Sequence, residues 1–221
     1  MTVLSAKNLC KTFHSPEKVE LLSNISLDLN PGESIAICGR SGEGKTTLLH
    51  ILGSLEAPDS GTVEIKGHLF TPSTAAELRN KHIGFIFQAF NLLEDFTLLE
   101  NVLMPAAIAR QPRDRAYGLQ LLKKVGLEQR ADFPAKLLSG GERQRGAIAR
   151  ALCNNPDLIL ADEPSGNLDR ANAQNIGQLL LSLVKQEKKS LILVTHDPQL
   201  AALCDRQYQL SESHLRQFSV S

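Results

Sequence analysis

The chain has 221 residues, of which 42% are hydrophobic, so it is long enough to bury a core and is most simply one domain. Lysine and arginine together number 24, as do aspartate and glutamate, so strong electrostatic attraction to nucleic acid is not expected. The four cysteines lie far apart and form no Cys-x-x-Cys pair, which argues against a zinc site or a redox motif.

The N-terminus carries no pattern of a targeting or membrane segment. Residues 1–7 lack the basic and apolar regions of a leader peptide, and no uninterrupted apolar run approaches about 18 residues. We therefore expect a chain that stays in the cytoplasm and does not span a membrane. Its cysteines are expected to be small, buried and reduced side chains.

The first part of the chain is predicted to be rich in β-strands. Residues 21–29 alternate with a period of two, which places their apolar side chains on one face of a strand. A turn is predicted at 30–32, and the apolar run 34–38 is typical of a central parallel strand. A helix is expected over 46–53, where Gly53 ends it.

The connection between that strand and that helix has the composition of a phosphate-binding loop. Residues 39–46 fit the pattern G-x-x-x-x-G-K-S/T, in which Lys45 would contact the β- and γ-phosphates and the Thr46 hydroxyl would bind Mg²⁺. The predicted nucleotide-binding residues here are Gly39, Arg40, Ser41, Gly42, Glu43, Gly44, Lys45, Thr46 and Thr47. The Glu43 carboxylate is expected to point away from the phosphates, since it would otherwise repel them. A glycine-rich turn with a surface lysine is the alternative.

The remaining predicted elements alternate between strands and helices. They are a turn and strand over 57–65, a strand over 83–87, helical spacing from 97 to about 135, a strand over 158–161, a helix over 171–187 and a strand over 191–195. The long helical stretch indicates a helical lobe inserted into the core. The strand-helix-strand order after it indicates that a parallel sheet resumes.

Two acidic residues follow the apolar strand at 158–161. At the carboxyl end of a parallel strand, Asp162 would hold Mg²⁺ and Glu163 would polarise the water that attacks the γ-phosphate. Gln88, after the strand at 83–87, is an amide able to reach both Mg²⁺ and that water. His196, one of six histidines, could contact the γ-phosphate and the water. Turn capping or ordinary loop roles are the alternatives for these residues.

Residues 138–145 read Leu-Ser-Gly-Gly-Glu-Arg-Gln-Arg and precede a helical pattern over 147–152. Ser139, Gly140 and Gly141 would therefore present a hydroxyl and free backbone N–H groups at the positive end of a helix. Taken alone, such a stretch also suits a plain helix N-cap.

Together these stretches resemble the motifs of ATP-binding-cassette (ABC) ATPases, in order and over nearly the whole chain. Residues 138–142 resemble the family's signature, 162–164 its Walker B motif, 165–169 its D-loop and 195–197 its switch histidine. The resemblance implies that ATP and Mg²⁺ are the cofactors and that a second copy of the chain completes each site. It adds Ser139, Gly140, Gly141 and Asp169 to the nucleotide-binding set.

The resemblance also implies the fold and a contact to the base. The expected fold is α/β: a P-loop NTPase (RecA-like) parallel-sheet core with an N-terminal antiparallel β subdomain and an inserted α-helical subdomain. The β subdomain and core would comprise 1–88 and 149–221, and the helical subdomain about 89–148. Phe13 falls where the family usually has an aromatic residue stacked on adenine, with a role in the core as the alternative.

Residues 83–93 and 98–102 look like the subgroup of the family that contains lipoprotein-releasing, macrolide-exporting and cell-division ATPases. Within this subgroup we favour the lipoprotein-releasing ATPase, which implies a peripheral position on the cytoplasmic face of the inner membrane. The implied partners are integral membrane permease subunits, whose short helix would enter a groove. The apolar residues predicted to line that groove are Phe90, Leu92, Leu93, Phe96, Leu98 and Leu99. The alternative is that they form an internal core.

Three other functions stay open at this point. The cargo of the same machine could be a small molecule or a peptide. A soluble ABC ATPase acting on DNA or ribosomes is disfavoured by the single cassette and the neutral charge, and nucleic acid is not expected as a partner. A small-molecule kinase would share the phosphate loop but would leave residues 139–141 without a role.

Overall fold

The computed structural model describes residues 2–14 and 18–218 of the chain. Its strands are β1 (Leu4–Phe13), β2 (Val19–Leu29), β3 (Ser34–Cys38), β4 (Ser60–Ile65), β5 (His68–Leu69), β6 (Ile83–Ile86), β7 (Leu158–Asp162), β8 (Ser190–Val194), β9 (Arg206–Ser211) and β10 (His214–Phe218). Its α-helices are α1 (Lys45–Leu52), α2 (Ala75–His82), α3 (Leu98–Ile108), α4 (Arg115–Lys124), α5 (Gly140–Ala151), α6 (Arg170–Gln186) and α7 (Pro198–Ala201). Short 3-10 helices cover Glu128–Arg130 and Ala135–Leu137.

The strands form two sheets of different character. An antiparallel sheet has the order β2-β1-β4-β5. The other has the order β10-β9-β3-β8-β7-β6 and is parallel except for β10, which pairs antiparallel with β9. Helices α3, α4 and α5 lie between β6 and β7 in the chain. The predicted α/β fold class is confirmed, while the residue bounds proposed for its subdomains stay a prediction.

The parallel sheet is buried on both faces because alternate residues of its strands enter two hydrophobic clusters. In β3, Ile35 and Ile37 pack in the cluster shared with α1 and the antiparallel sheet, whereas Ala36 packs in the cluster shared with α3 to α6. Leu160 and Ile159 of β7 divide in the same way. This period of two explains why these strands are nearly all apolar in the sequence.

Helices α3 and α5 begin with the same reciprocal capping arrangement. The Thr97 side chain accepts the N–H group of Glu100, whose carboxylate accepts the N–H group of Thr97. Ser139 and Glu142 form the same pair at the start of α5. Helices α3 and α5 pack against each other. Each cap fixes the residue at which its helix begins.

The predicted elements are present, with most ends shifted by one or two residues. One shift matters, because β7 runs through Asp162 and makes it the last residue of the strand. No sequence pattern predicted β1, β5, α2, α7, β9 or β10 individually. β5 has only two residues, and β9 is mostly half-exposed, so neither has a clear apolar alternation.

The cysteines and the helices bear on two expectations, that the thiols are buried and reduced and that no segment spans a membrane. Cys153 and Cys204 are buried as expected, whereas Cys10 and Cys38 are only half-buried, and all four are free. Burial raises the pKa of Cys204 to about 12, which keeps its thiol neutral. Within the described part of the chain, none of the helices combines the length and the apolar character needed to cross a membrane.

Candidate active site

The loop after β3 closes into the start of α1 through two glycines with left-handed backbones. Gly42 has φ +85° and Gly44 has φ +94°, a region that residues with a Cβ rarely enter. A Cβ on Gly44 would also lie 2.6 Å from Cγ of Leu21. Gly44 is therefore required both for its backbone conformation and for its lack of a side chain. The loop ends at the first N–H groups of α1, which form an anion-binding end.

Lys45 is the first residue of α1 and is only 8% exposed. Its Nζ donates to the backbone oxygens of Gly39 and Arg40, each at 2.8 Å. A phosphate group would offer this ammonium stronger, charge-assisted hydrogen bonds than the two neutral carbonyls do. Lys45 is thus held within the loop that it is predicted to serve.

The loop opens into a cavity of about 500 Å³ at the carboxyl edge of the parallel sheet. The predicted site residues that line it are Gly39, Ser41, Gly42, Gly44, Lys45, Thr46, Thr47, Gln88, Glu163 and His196. The cavity therefore brings together residues from four separate stretches of the sequence. Leu21 and Gly166 line it as well, and sequence reasoning missed both, since Leu21 carries only a strand pattern.

Asp162 and Thr46 form a pair beside this cavity. The Thr46 hydroxyl donates to Oδ2 of Asp162 at 2.8 Å. Asp162 is 6% exposed, and its Oδ1 is buried without a hydrogen-bond partner among the described residues. A buried carboxylate oxygen of this kind is costly unless it binds a hydrogen-bond donor or a cation. The Thr46 hydroxyl and the Asp162 carboxylate, whose Oδ1 is unpaired, therefore suit Mg²⁺, which prefers oxygen ligands.

The described residues contain no group of three or more histidine, cysteine, aspartate or glutamate side chains able to hold a metal ion. A Mg²⁺ site here would therefore take its remaining ligands from phosphate oxygens and water, as is usual for Mg²⁺ in nucleotide sites.

Glu163 follows Asp162 with a strained backbone. Its φ is +43°, a left-handed conformation that costs about 1–2 kcal/mol for a residue with a Cβ. Hydrogen bonds from its N–H group to Val194 at 3.0 Å, and from Gly166 to its carbonyl at 2.9 Å, hold this conformation. Its Oε2 lies 2.6 Å from Nδ1 of His196. The strained turn thus brings carboxylate and imidazole together at the cavity.

Gln88 lies just after β6, exposed on the cavity lining. Its backbone oxygen accepts a hydrogen bond of 2.9 Å from Nδ2 of Asn167. Its side chain passes over Gly166, where a Cβ would lie 3.0 Å from Nε2 of Gln88. The predicted contact of Gln88 to Mg²⁺ and water stays a prediction.

Two residues of the phosphate loop and the predicted adenine-stacking residue lie outside the cavity lining. The Glu43 carboxylate accepts the N–H group of Arg40 at 2.5 Å, so it lies against the loop backbone, and neither residue lines the cavity. Phe13 ends β1, is 43% exposed and has Nζ of Lys11 at 5.4 Å from its ring centroid. An exposed ring is free to stack on a base, and that role stays a prediction.

The signature stretch forms the N-terminus of α5 and does not line the cavity of its own chain. The expectation of a free N–H group is wrong for Ser139, which donates to Oε2 of Glu142 at 2.9 Å. The N–H groups of Gly140 and Gly141 belong to the first turn, which has no partners within a helix. The hydrogen bond from Ser139 lowers the pKa of Glu142. The Arg130 guanidinium, whose Nε donates to Oε1 of Glu142 at 2.9 Å, lowers it as well, so Glu142 stays ionised at neutral pH.

Asp169 caps the start of α6. Its carboxylate accepts a hydrogen bond from the backbone N–H group of Asn172 at 3.1 Å. It accepts another from the side-chain amide of Asn172 at 2.6 Å. It does not line the cavity. Its predicted contact to nucleotide across a dimer stays a prediction.

Comparisons with known proteins agree with this geometry. A family profile described as ABC transporter matches residues 22–166 of the chain. The chain is 53% identical over 213 residues to the lipoprotein-releasing system ATP-binding protein LolD of Protochlamydia amoebophila, covering 94% of this chain and 93% of that protein. It is 45% identical over 220 residues to LolD of Bordetella pertussis, covering 96% and 95%.

A solved structure shows the same fold. It is the dimeric structure of a post-hydrolysis state of the ATP-binding cassette MJ0796 bound to ADP and Pi. The similarity has a TM-score of 0.88 with 36% sequence identity and covers 99% of each chain.

Proposed function

The chain belongs to the ABC transporter family, and on that premise we propose that it is the ATP-hydrolysing subunit of a transporter that releases lipoproteins from the inner membrane. One observation carries the enzymatic part: Lys45, Glu163 and His196 meet in a single cavity at the carboxyl edge of the parallel sheet. The cargo is inferred from the two LolD relatives, whose name describes a lipoprotein-releasing system.

The residues around the phosphate loop account for hydrolysis. Backbone N–H groups of the loop and Lys45 offset the charge of the triphosphate. Glu163 accepts a proton from the attacking water, and His196, 2.6 Å away, holds the carboxylate in place. Thr46 and Asp162 would hold Mg²⁺, which when bound neutralises charge on the phosphate oxygens.

A second copy of the chain completes the site. Gly140 and Gly141 present the N-terminus of α5, where N–H groups and the helix dipole favour an anion. This helix end does not line the cavity of its own chain, so we assign it to a phosphate held by another subunit. The dimeric cassette that resembles this chain supports such a pairing. ATP would therefore join two subunits, and hydrolysis would let them separate.

Membrane permease subunits are the second kind of partner. A groove of about 310 Å³ lies beside the helical region, and we name it the docking groove. Its lining residues are Ala89, Phe90, Asn91, Leu92, Glu94, Ala135, Arg143 and Asn167. Leu93 and Phe96, which are 47% and 43% exposed, belong to the same stretch of chain but are not among the lining residues. A short amphipathic helix of a permease fits a partly apolar groove of this kind.

The prediction of docking residues was wrong for two positions. Leu98 and Leu99 are 0% and 7% exposed and pack in the hydrophobic cluster beneath the docking groove. They follow the Thr97 cap, so they lie in the first turn of α3 and face the core. The internal-core alternative therefore holds for Leu98 and Leu99, and docking by the other four residues stays a prediction. Binding to a permease would place the subunit on the cytoplasmic face of the inner membrane.

Replacing Phe96 with aspartate is expected to weaken binding to the permease subunits by at least about tenfold, because it puts a charge on an apolar contact. ATP hydrolysis by the isolated subunit should not change, since Phe96 lies outside the cavity. Co-purification from detergent-solubilised membranes measures the first effect. Leu55→Asp, at a residue 46% exposed beyond α1, is the matched control. Equal loss of permease in both variants would contradict the assignment of this surface.

Asn101 is expected to be the main support of the segment that carries Leu93 and Phe96. It is 1% exposed, and its side chain bonds both the N–H group and the oxygen of Leu93, at 2.7 and 3.0 Å. The same amide donates to Thr97 at 3.0 Å. Asn101→Leu keeps the volume but leaves these backbone groups unpaired, so the free energy of unfolding should fall by roughly 2–4 kcal/mol.

Chemical denaturation measures this change, and the exposed residue Gln120 of α4 offers a matched control. Gln120→Leu introduces the same side chain without breaking a buried network, so its stability should stay within about 0.5 kcal/mol of the wild type. Equal stability of the Asn101 variant and this control would show that the buried amide contributes nothing.

Capture of the native complex tests the proposed function as a whole. The Glu163→Gln variant, expressed in the source cells and held with ATP and Mg²⁺, should co-purify with integral membrane permease subunits and bound lipoprotein. Recovery of another permease would keep the ATPase and change the cargo. Absence of any membrane protein would contradict a role in transport.

A further inference from the structure

Asn167 links three parts of the molecule that the proposed function keeps separate. Its Nδ2 donates to the backbone oxygen of Gln88 at 2.9 Å, across 79 positions of sequence. It lines the docking groove together with Ala89 and Phe90, the two residues that follow Gln88. It also belongs to the D-loop segment, 165–169, which precedes α6. From this placement we propose that Asn167 is a positioning residue that couples the docking groove and the D-loop to hydrolysis through Gln88. This role rests on the proposed function.

The sheet explains why these two loops meet. β6 and β7 are parallel neighbours, with Ile86 opposite Ala161. The chain therefore leaves both strands at the same edge, and the segment after β6 passes over the segment after β7. Gly166 makes this passage possible, since a Cβ there would lie 3.0 Å from Nε2 of Gln88 and 3.3 Å from the oxygen of Glu163. A residue with a Cβ at 166 would therefore have to displace the Gln88 side chain by a few tenths of an ångström.

Short turns connect Asn167 firmly to Glu163. Gly166 donates its N–H group to Glu163 at 2.9 Å, and Leu168 donates to Ser165 at 3.1 Å. At the other end, Leu168 lies against the signature helix, with its Cδ2 3.3 Å from where a Cβ of Gly140 would be. A shift of the D-loop on contact with a second subunit would therefore move both Glu163 and the bond to Gln88.

The chemistry of the contact requires a donor at position 167. The carbonyl of Gln88 accepts, and an asparagine amide supplies the N–H group. Alanine would remove the bond, whereas aspartate, of the same shape, would place a carboxylate oxygen against a carbonyl oxygen. We therefore expect Asn167→Asp to be more harmful than Asn167→Ala, which is the reverse of what side-chain size alone would give.

Steady-state kinetics of the full chain tests this role. Asn167→Ala should lower kcat about tenfold, and Asn167→Asp should lower it further, while the ATP dissociation constant and the melting temperature stay at wild-type values. Asn167→Gln, which keeps the donor, should recover part of kcat. Equal kcat in all variants, or a loss of ATP affinity in parallel with kcat, would overturn the proposal. Wild-type turnover tests the proposed function separately from these ratios.

Amide hydrogen exchange gives a readout that does not depend on activity. In the nucleotide-free protein, exchange over 88–91 should be at least about threefold faster in Asn167→Ala than in the wild type, because the bond to the Gln88 oxygen is absent and, among the described residues, only the bonds from Arg150 to Phe90 and Asn91 remain. A matched change at exposed Gln120, Gln120→Ala, should leave this segment unaffected. Unchanged exchange in the Asn167 variant would overturn the proposal even if turnover fell.

Discussion

Glu163→Gln is expected to lower ATP turnover by about 10²–10⁴-fold while ATP binding is retained. The amide keeps the size of the side chain but accepts a proton from water far less readily than a carboxylate does. The strained φ of +43° at this position is set by the surrounding backbone bonds and should survive the change. Bound ATP should therefore persist and hold two subunits together.

Phosphate release measures the loss of turnover, and isothermal titration together with size-exclusion chromatography measures binding and dimer formation. Glu77→Gln, an exposed residue of α2, changes the same charge outside the cavity and should behave as the wild type. Wild-type turnover in the Glu163 variant would place the base elsewhere. Loss of ATP binding would mean that Glu163 supports the structure of the loop rather than the chemistry.

Lys45→Ala is expected to weaken ATP binding by about 100-fold, because charge-assisted hydrogen bonds to the β- and γ-phosphates are lost. The change also removes the bonds that Nζ donates to Gly39 and Arg40, at 2.8 Å each. Some loosening of the loop should accompany the loss of charge, so the melting temperature must be measured beside the affinity.

Lys123→Ala is the control for this prediction, since Lys123 is exposed on α4 and shares no element with the cavity. It should bind ATP with the affinity of the wild type. Retained ATP affinity in the Lys45 variant would contradict the role of that lysine. A large fall in melting temperature without ATP present would assign part of the loss to the loop itself.

The elements that could be predicted are those where one physical requirement dominates the sequence. β3, β7 and β8 bury alternate residues in two clusters, which makes them continuous apolar runs. The phosphate loop needs glycine at positive φ and a lysine at a helix start, so its pattern is unusual enough to stand out. The order of this loop and the other motifs carried the resemblance to ABC ATPases, and that resemblance implied the fold class.

Features that depend on packing between distant segments could not be predicted. Leu98 and Leu99 look like an exposed apolar patch until the capping box at Thr97 turns the first turn of α3 towards the core. The bond between Asn167 and Gln88 joins residues 79 positions apart, and only the parallel register of β6 and β7 brings them together. The sequence signal at Asn167 alone, an exposed asparagine in a loop, does not distinguish it from any other loop residue.

Reconstitution of the purified complex tests the central claim most directly. Proteoliposomes containing this subunit, its permease subunits and a labelled lipoprotein would be mixed with ATP, Mg²⁺ and a soluble lipoprotein acceptor. The account predicts that lipoprotein leaves the bilayer with the wild-type subunit and stays there with the Glu163→Gln subunit. Retention of lipoprotein by wild-type vesicles that hydrolyse ATP at full rate would contradict lipoprotein release as the function of this ATPase.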